Sequence, residues 1–90
     1  PEKWKVNPEI VLREESDDWA LLFDPSSGQV VGVNPVGALI WKFLVENTPL
    51  NEIPAKVKAE FADAPESVDD EVRAFFDNLI ERGFIGIVNS

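Results

Sequence analysis

Asn34-Pro35 sits at the junction of two incompatible periodicities, and this constrains the chain more than any other pair. Before it, residues 21–23 and 29–33 are short apolar runs separated by Asp24-Pro25-Ser26-Ser27-Gly28. Each residue of that separator favours a turn for its own reason, and a loop of this size with Gly at its end reads as a β-hairpin. After the junction, Val36, Leu39, Ile40, Phe43 and Leu44 recur with helical spacing. Asn is a good helix N-cap and Pro fits the first helical position, where no backbone donor is needed. A hairpin therefore delivers the chain straight into a helix, and the rest must pack around that unit. Trp41 and Val45 widen the apolar stripe, leaving mainly Lys42 and Glu46 polar, so this helix is expected at the centre of the core.

Ninety residues, 44% of them hydrophobic, suit one small domain, with residues 1–9 as an extended arm and 10–88 as the folded body. Trp4 and Val6 alternate with Lys3 and Lys5, a pattern that suits a short edge strand. Residues 10–15 read as a first strand, 19–23 as a second and 29–33 as a third, joined as an antiparallel meander. Trp19, Leu21 and Phe23 share one face of the second strand, which is expected to meet the helices. Helices follow at about 35–46, 51–62 and 67–82, and residues 84–88 form a last short strand. Pro54 fits only in a first helical turn. Ser67 and Asp70 approach a capping box, and Gly83 suits the residue after a helix end. The expected class is α+β: a three-stranded meander, three helices in a winged-helix-like order, and a C-terminal strand.

The missing residue types narrow function. The chain has no Cys, His, Met or Tyr. Zinc sites, cysteine nucleophiles and Ser-His pairs are thus excluded, and no carboxylate pair stands out for acid–base work. The expectation is a non-enzyme without cofactor or metal. The net charge is −9. A winged helix would ordinarily suggest DNA, but the third helix carries Asp69, Asp70, Glu71, Asp77 and Glu81 against Arg73 and Arg82, a net −3. A groove-reading helix needs the opposite sign, so neither nucleic acid nor an anionic membrane is the expected partner. No apolar run approaches the roughly 20 residues of a membrane helix. Residues 1–7 carry charge and Trp4 and do not read as a signal segment, so the expected location is the cytoplasm.

What remains is binding. The first strand is guarded by Arg13, Glu14 and Glu15, whereas Gln29, Val30, Val31, Gly32 and Val33 of the third carry no charge. An uncharged outer strand invites another chain to pair with it unless residues 84–88 cover it. On the third helix, Val68, Val72, Phe75 and Leu79 make a narrow core stripe, with Phe76, Ile80 and Arg73 to one side. Phe76 and Ile80 either widen the core or, with Arg73 beyond them, form a shoulder beside the bare strand. A shoulder there would seat an extended peptide that adds a strand. On this basis a proline at Val31 removes a donor from the edge.

Phe23-Asp24-Pro25 with Gly28, Val33-Asn34-Pro35 with Gly37-Ala38, Glu52-Ile53 and the closing residues 79–83 resemble the PqqD family of precursor-peptide recognition elements over about residues 8–88. The resemblance implies a non-catalytic domain that binds the leader of a ribosomally made precursor peptide and presents it to a modifying enzyme, often a radical SAM enzyme. In the namesake's case the product is pyrroloquinoline quinone. It also implies that the leader lies between the third strand and the third helix, here Gln29, Val30, Val31, Gly32 and Val33 opposite Arg73, Phe76 and Ile80. The alternative expectation is a homodimer, structural or regulatory, that uses the same edge.

Overall fold

A computed structural model describes residues 3–64 and 66–88. The first two residues of the expected arm, Pro65 of the loop before the third helix, and the last two residues lie outside the described residues. The elements in chain order are β1 (Trp4–Val6), β2 (Val11–Glu14), β3 (Ala20–Phe23), β4 (Val30–Val33), α1 (Pro35–Val45), α2 (Ile53–Glu60), α3 (Val68–Glu81) and β5 (Ile85–Ile87). A 3-10 turn, Leu50–Glu52, precedes α2. Strands β2, β3 and β4 form the expected antiparallel meander, in that spatial order. The fold is α+β, as the sequence predicts.

The hairpin and its helix are locally determined. Asp24 is buried, yet its carboxylate accepts from the Ser26 N–H at 2.9 Å and the Ser27 hydroxyl at 2.9 Å. These bonds hold the loop closed without help from the core. At the other end of β4, Asn34 is extended (ψ 176°) and its Oδ1 accepts from the Gly37 N–H at 2.7 Å. A Cβ at position 37 would come within 3.1 Å of the Val33 Cβ, so any larger residue needs a small shift of Val33. The first turn of α1 therefore presses directly on the end of β4. Ser67 differs: its ψ of 5° is already near helical, and its side chain makes no cap bond. A capping side chain needs the extended conformation, so the expected capping box does not form.

Helix α1 fills the centre, with Ala38, Ile40, Trp41 and Leu44 buried, although Val45 is 49% exposed. Pro54 falls in the first turn of α2, where a missing donor is harmless. Both α1 and α3 end in the same hydrogen-bond pattern. The Asn47 N–H reaches the Leu44 carbonyl and the Thr48 N–H reaches Phe43; at the later helix, Gly83 reaches Ile80 and Phe84 reaches Leu79. This pattern needs a left-handed residue, supplied by Asn47 (φ 58°) and Gly83 (φ 80°).

Two sequence expectations change sides. On β3, the residues facing the helices are Ala20 and Leu22, both buried; Trp19 is 47% exposed and Leu21 and Phe23 are half-buried. Leu21 and Phe23 do alternate with the buried pair, but on the outer face of the sheet, whereas Trp19, just before β3, stands beside the start of α1. On α3, the buried stripe is Val68, Val72, Phe76 and Leu79, with Phe75 half-buried. The cause is β1. Trp4 lies edge-on to Phe76, with ring centres 5.3 Å apart, and donates its indole N–H to the Leu44 carbonyl at 3.1 Å. Strand β1 is therefore not a free arm; it pairs antiparallel with β5 and roofs that flank of α3.

Trp4→Ala or Phe76→Ala is expected to cost about 3–5 kcal/mol, whereas Val45→Ala is close to neutral, as read by urea denaturation. Gly83→Ala, which forces a Cβ into the left-handed region, is expected to cost about 1–2 kcal/mol in the same assay.

Candidate functional site

The free edge of β4 is built by strand parity. In an antiparallel ladder, successive residues direct their N–H and C=O to alternate sides. The Asp24 N–H bonds to the Gln29 carbonyl at 2.9 Å, and Leu22 and Ala20 stand opposite Val31 and Val33. Counting by twos from that bond, Gln29, Val31 and Val33 spend their backbone groups on β3. The β2 side agrees, since the Glu15 N–H bonds to the Trp19 carbonyl and Leu21 and Phe23 face Arg13 and Val11. Val30 and Gly32 are left pointing the other way. Two N–H and two C=O groups thus face away from the meander.

Nothing among the described residues pairs with that edge, because β5 pairs with β1 and the three-stranded sheet ends at β4. The expected alternative, coverage by residues 84–88, is overturned. Parity also corrects the choice of proline: at Val31 it would break the internal ladder, whereas at Gly32 it removes an outward donor. The fold makes no steric demand for glycine at position 32, where a Cβ would meet no atom within 4 Å.

Side chains complete the picture. Val33 is buried at 7% exposure and Val31 is half-buried, both on the helix side of the sheet. Val30 projects to the outer face and is 49% exposed. The Gln29 side-chain amide donates to the Arg82 carbonyl at 3.0 Å, tying the start of β4 to the end of α3. No residue of β4 is charged, so a pairing backbone meets no ionic barrier along the strand itself.

The α3 residues named with the strand are not all beside it. Phe76 is fully buried and cannot offer a surface, so its expected place on an exposed shoulder is corrected. The Arg73 guanidinium lies 5.7 Å over the Phe76 ring and 3.4 Å from Asp77. It lines a cavity of about 560 Å³ with Trp4, Pro49, Leu50, Pro54 and Val72. Arg73 therefore belongs with β1 and the entry to α2 rather than with β4. Ile80 is half-buried at the fringe of the core. At about 100° per residue, Phe75 lies within roughly 20° of Arg82 around α3, whereas Arg73 and Ile80 lie across the buried stripe. Phe75 is thus the half-buried aromatic on the same flank as Arg82, whose carbonyl Gln29 reaches. Periodicity could not separate Phe75 from Phe76, because both are aromatic and the choice is made by Trp4, far away in sequence.

Among curated proteins nothing matches this chain. Two solved structures are similar. "TbiB1 in Complex with the TbiA(beta) Leader Peptide" is 26% identical with a TM-score of 0.70, over 90% of this chain and 93% of that one. "Lasso peptide synthetase B1 complexed with the leader peptide" is 21% identical with a TM-score of 0.69, over 96% and 98%, a likeness of fold. The family model for PqqD, described as coenzyme PQQ synthesis protein D, matches residues 20–85, which spans the hairpin, all three helices and the start of β5. That match covers well over half of the sequence: the chain belongs to the PqqD family.

Proposed function

We propose that this domain is a non-catalytic recognition element that captures the leader of a ribosomally made precursor peptide as a fourth strand on β4 and presents it to a modifying enzyme. The observation that carries this is the outward pair Val30 and Gly32 on an uncovered, uncharged strand. Support comes from the family match and from two proteins of like fold whose structures are described as leader-peptide complexes. The recognition surface is the edge from Gln29 to Val33, with Val31 as its half-buried inner side chain and Phe75 of α3 as the flanking apolar group. Each new main-chain hydrogen bond nets about 0.5–1.5 kcal/mol, so four of them hold a peptide without choosing it, and selection falls to the side chains.

On the family's precedent the receiving partner is a radical SAM enzyme, and the product is one of the peptide-derived class to which pyrroloquinoline quinone belongs. The acidity of the chain favours a leader with basic residues. No cofactor or metal takes part in this role, and the domain works in the cytoplasm where the precursor is made. No helix among the described residues is long and apolar enough to cross a membrane.

Titration of isotope-labelled protein with leader segments of candidate precursors is expected to move amides at residues 29–33 and 75–80. No shift with any leader, or shifts confined elsewhere, would refute the proposal. Gly32→Pro is expected to weaken binding roughly 3- to 10-fold, the worth of about one hydrogen bond, with little change in urea midpoint. Val31→Pro is expected to cost about 1–3 kcal/mol of stability instead, because its donor is used inside the sheet. Sedimentation separates the alternative: a tight homodimer that hides β4 would leave no edge for a leader.

A further inference from the structure

Trp19 departs from the pattern of the other two tryptophans. Trp4 and Trp41 are buried, whereas Trp19 is 47% exposed. Its backbone is nonetheless pinned. The Trp19 carbonyl accepts from the Glu15 N–H at 3.3 Å and the Ser16 N–H at 3.2 Å, and Ser16 Oγ accepts from the Asp18 N–H at 3.1 Å. The residue that carries the indole is therefore held at the end of a closed β2–β3 turn. It lines a cleft of about 260 Å³ whose apolar wall is Pro35, Ala38 and Leu39 of α1 and Phe61 just beyond α2.

The charged groups lining the cleft are Glu14, Asp17, Glu60 and Lys42. Lys42 Nζ lies 2.8 Å from a Glu14 carboxylate oxygen, so its charge is already matched. Three carboxylates against one ammonium leave a net −2 around an aromatic face. A purely apolar ligand would strip water from those carboxylates without replacing it. An anion would be repelled. An arginine fits all three features: its stem covers the apolar wall, its planar guanidinium stacks on the indole, and its N–H fork reaches a carboxylate.

We propose that this cleft receives an arginine side chain from a protein partner. The cleft opens at the β2–β3 turn, and its apolar wall begins at Pro35, two residues beyond the end of β4. Its lining includes no residue of β4, so this site stands whether or not β4 binds a leader. Occupied together, the cleft and the β4 edge would let one domain hold a peptide and a second protein at once.

The three indole N–H signals of labelled protein test this directly, with Trp4 as an internal control because its indole N–H is bound to Leu44. The probe is a blocked Gly-Arg-Gly amide, compared with Gly-Gln-Gly amide. The Trp19 indole signal is expected to shift saturably with the arginine peptide alone, and less as salt rises. The double variant Asp17→Asn, Glu60→Gln is expected to weaken that response roughly threefold or more. Equal shifts from both peptides, no shift of Trp19, or a response unchanged in the double variant would each overturn the site. Movement of the Trp19 signal with protein concentration alone would assign the cleft to a second copy of this chain and overturn the partner.

Discussion

A strand residue directs its backbone hydrogen bonds to one neighbour, and the position of one bond decides which. In this protein the deciding bond runs from the Asp24 N–H to the Gln29 carbonyl. The Asp24 carboxylate, which holds Ser26 and Ser27, fixes the loop that makes the bond. From it follow the inward turn of Gln29, Val31 and Val33 and the outward turn of Val30 and Gly32. A one-residue slip would reverse every side chain on β4 and drive Val30 into the core. The turn motif is thus a device for aiming an edge as much as for reversing the chain.

The same economy appears at the other end of the strand. Asn34 stops β4 and starts α1 within one residue, and Gly37 lets the helix lie against Val33. Strand, cap and helix form one rigid piece, so the free edge is held by covalent neighbours as well as by packing. Gln29 adds a tie to the end of α3. A preorganised edge lowers the ordering cost of binding, which matters where each added hydrogen bond is worth little by itself. The framework is closed on the remaining flank by β1 and β5, whose pairing uses up the C-terminal strand and so leaves β4 uncovered.

Charge and shape divide the surface into different chemistries. Strand β4 is uncharged, whereas β2 at the opposite edge carries Arg13 and Glu14, both exposed, which discourages chance pairing there. The chain as a whole carries an acidic excess, with a net charge of −9. Near Trp19 it is focused on an aromatic cleft.

Much of this was legible in sequence because it is local. The hairpin, the Asn-Pro start of α1, the placement of Pro54, the end of α3 at Gly83 and the uncharged third strand all follow from residues close together in the chain. Ser67 shows the limit even there, since a capping sequence without an extended backbone does not cap. Two side-chain assignments failed for a different reason. Both faces of β3 are apolar enough to be buried, and alternation alone cannot say which one meets the helices. Phe75 and Phe76 are adjacent aromatics, and either completes a helical stripe. The sequence by itself determined the elements, their boundaries to within a few residues and the bare strand. Tertiary structure alone decided that Trp4 covers Phe76, that β5 joins β1, and that Trp19 faces water. Burial depends on which distant surface arrives, and no local periodicity encodes that.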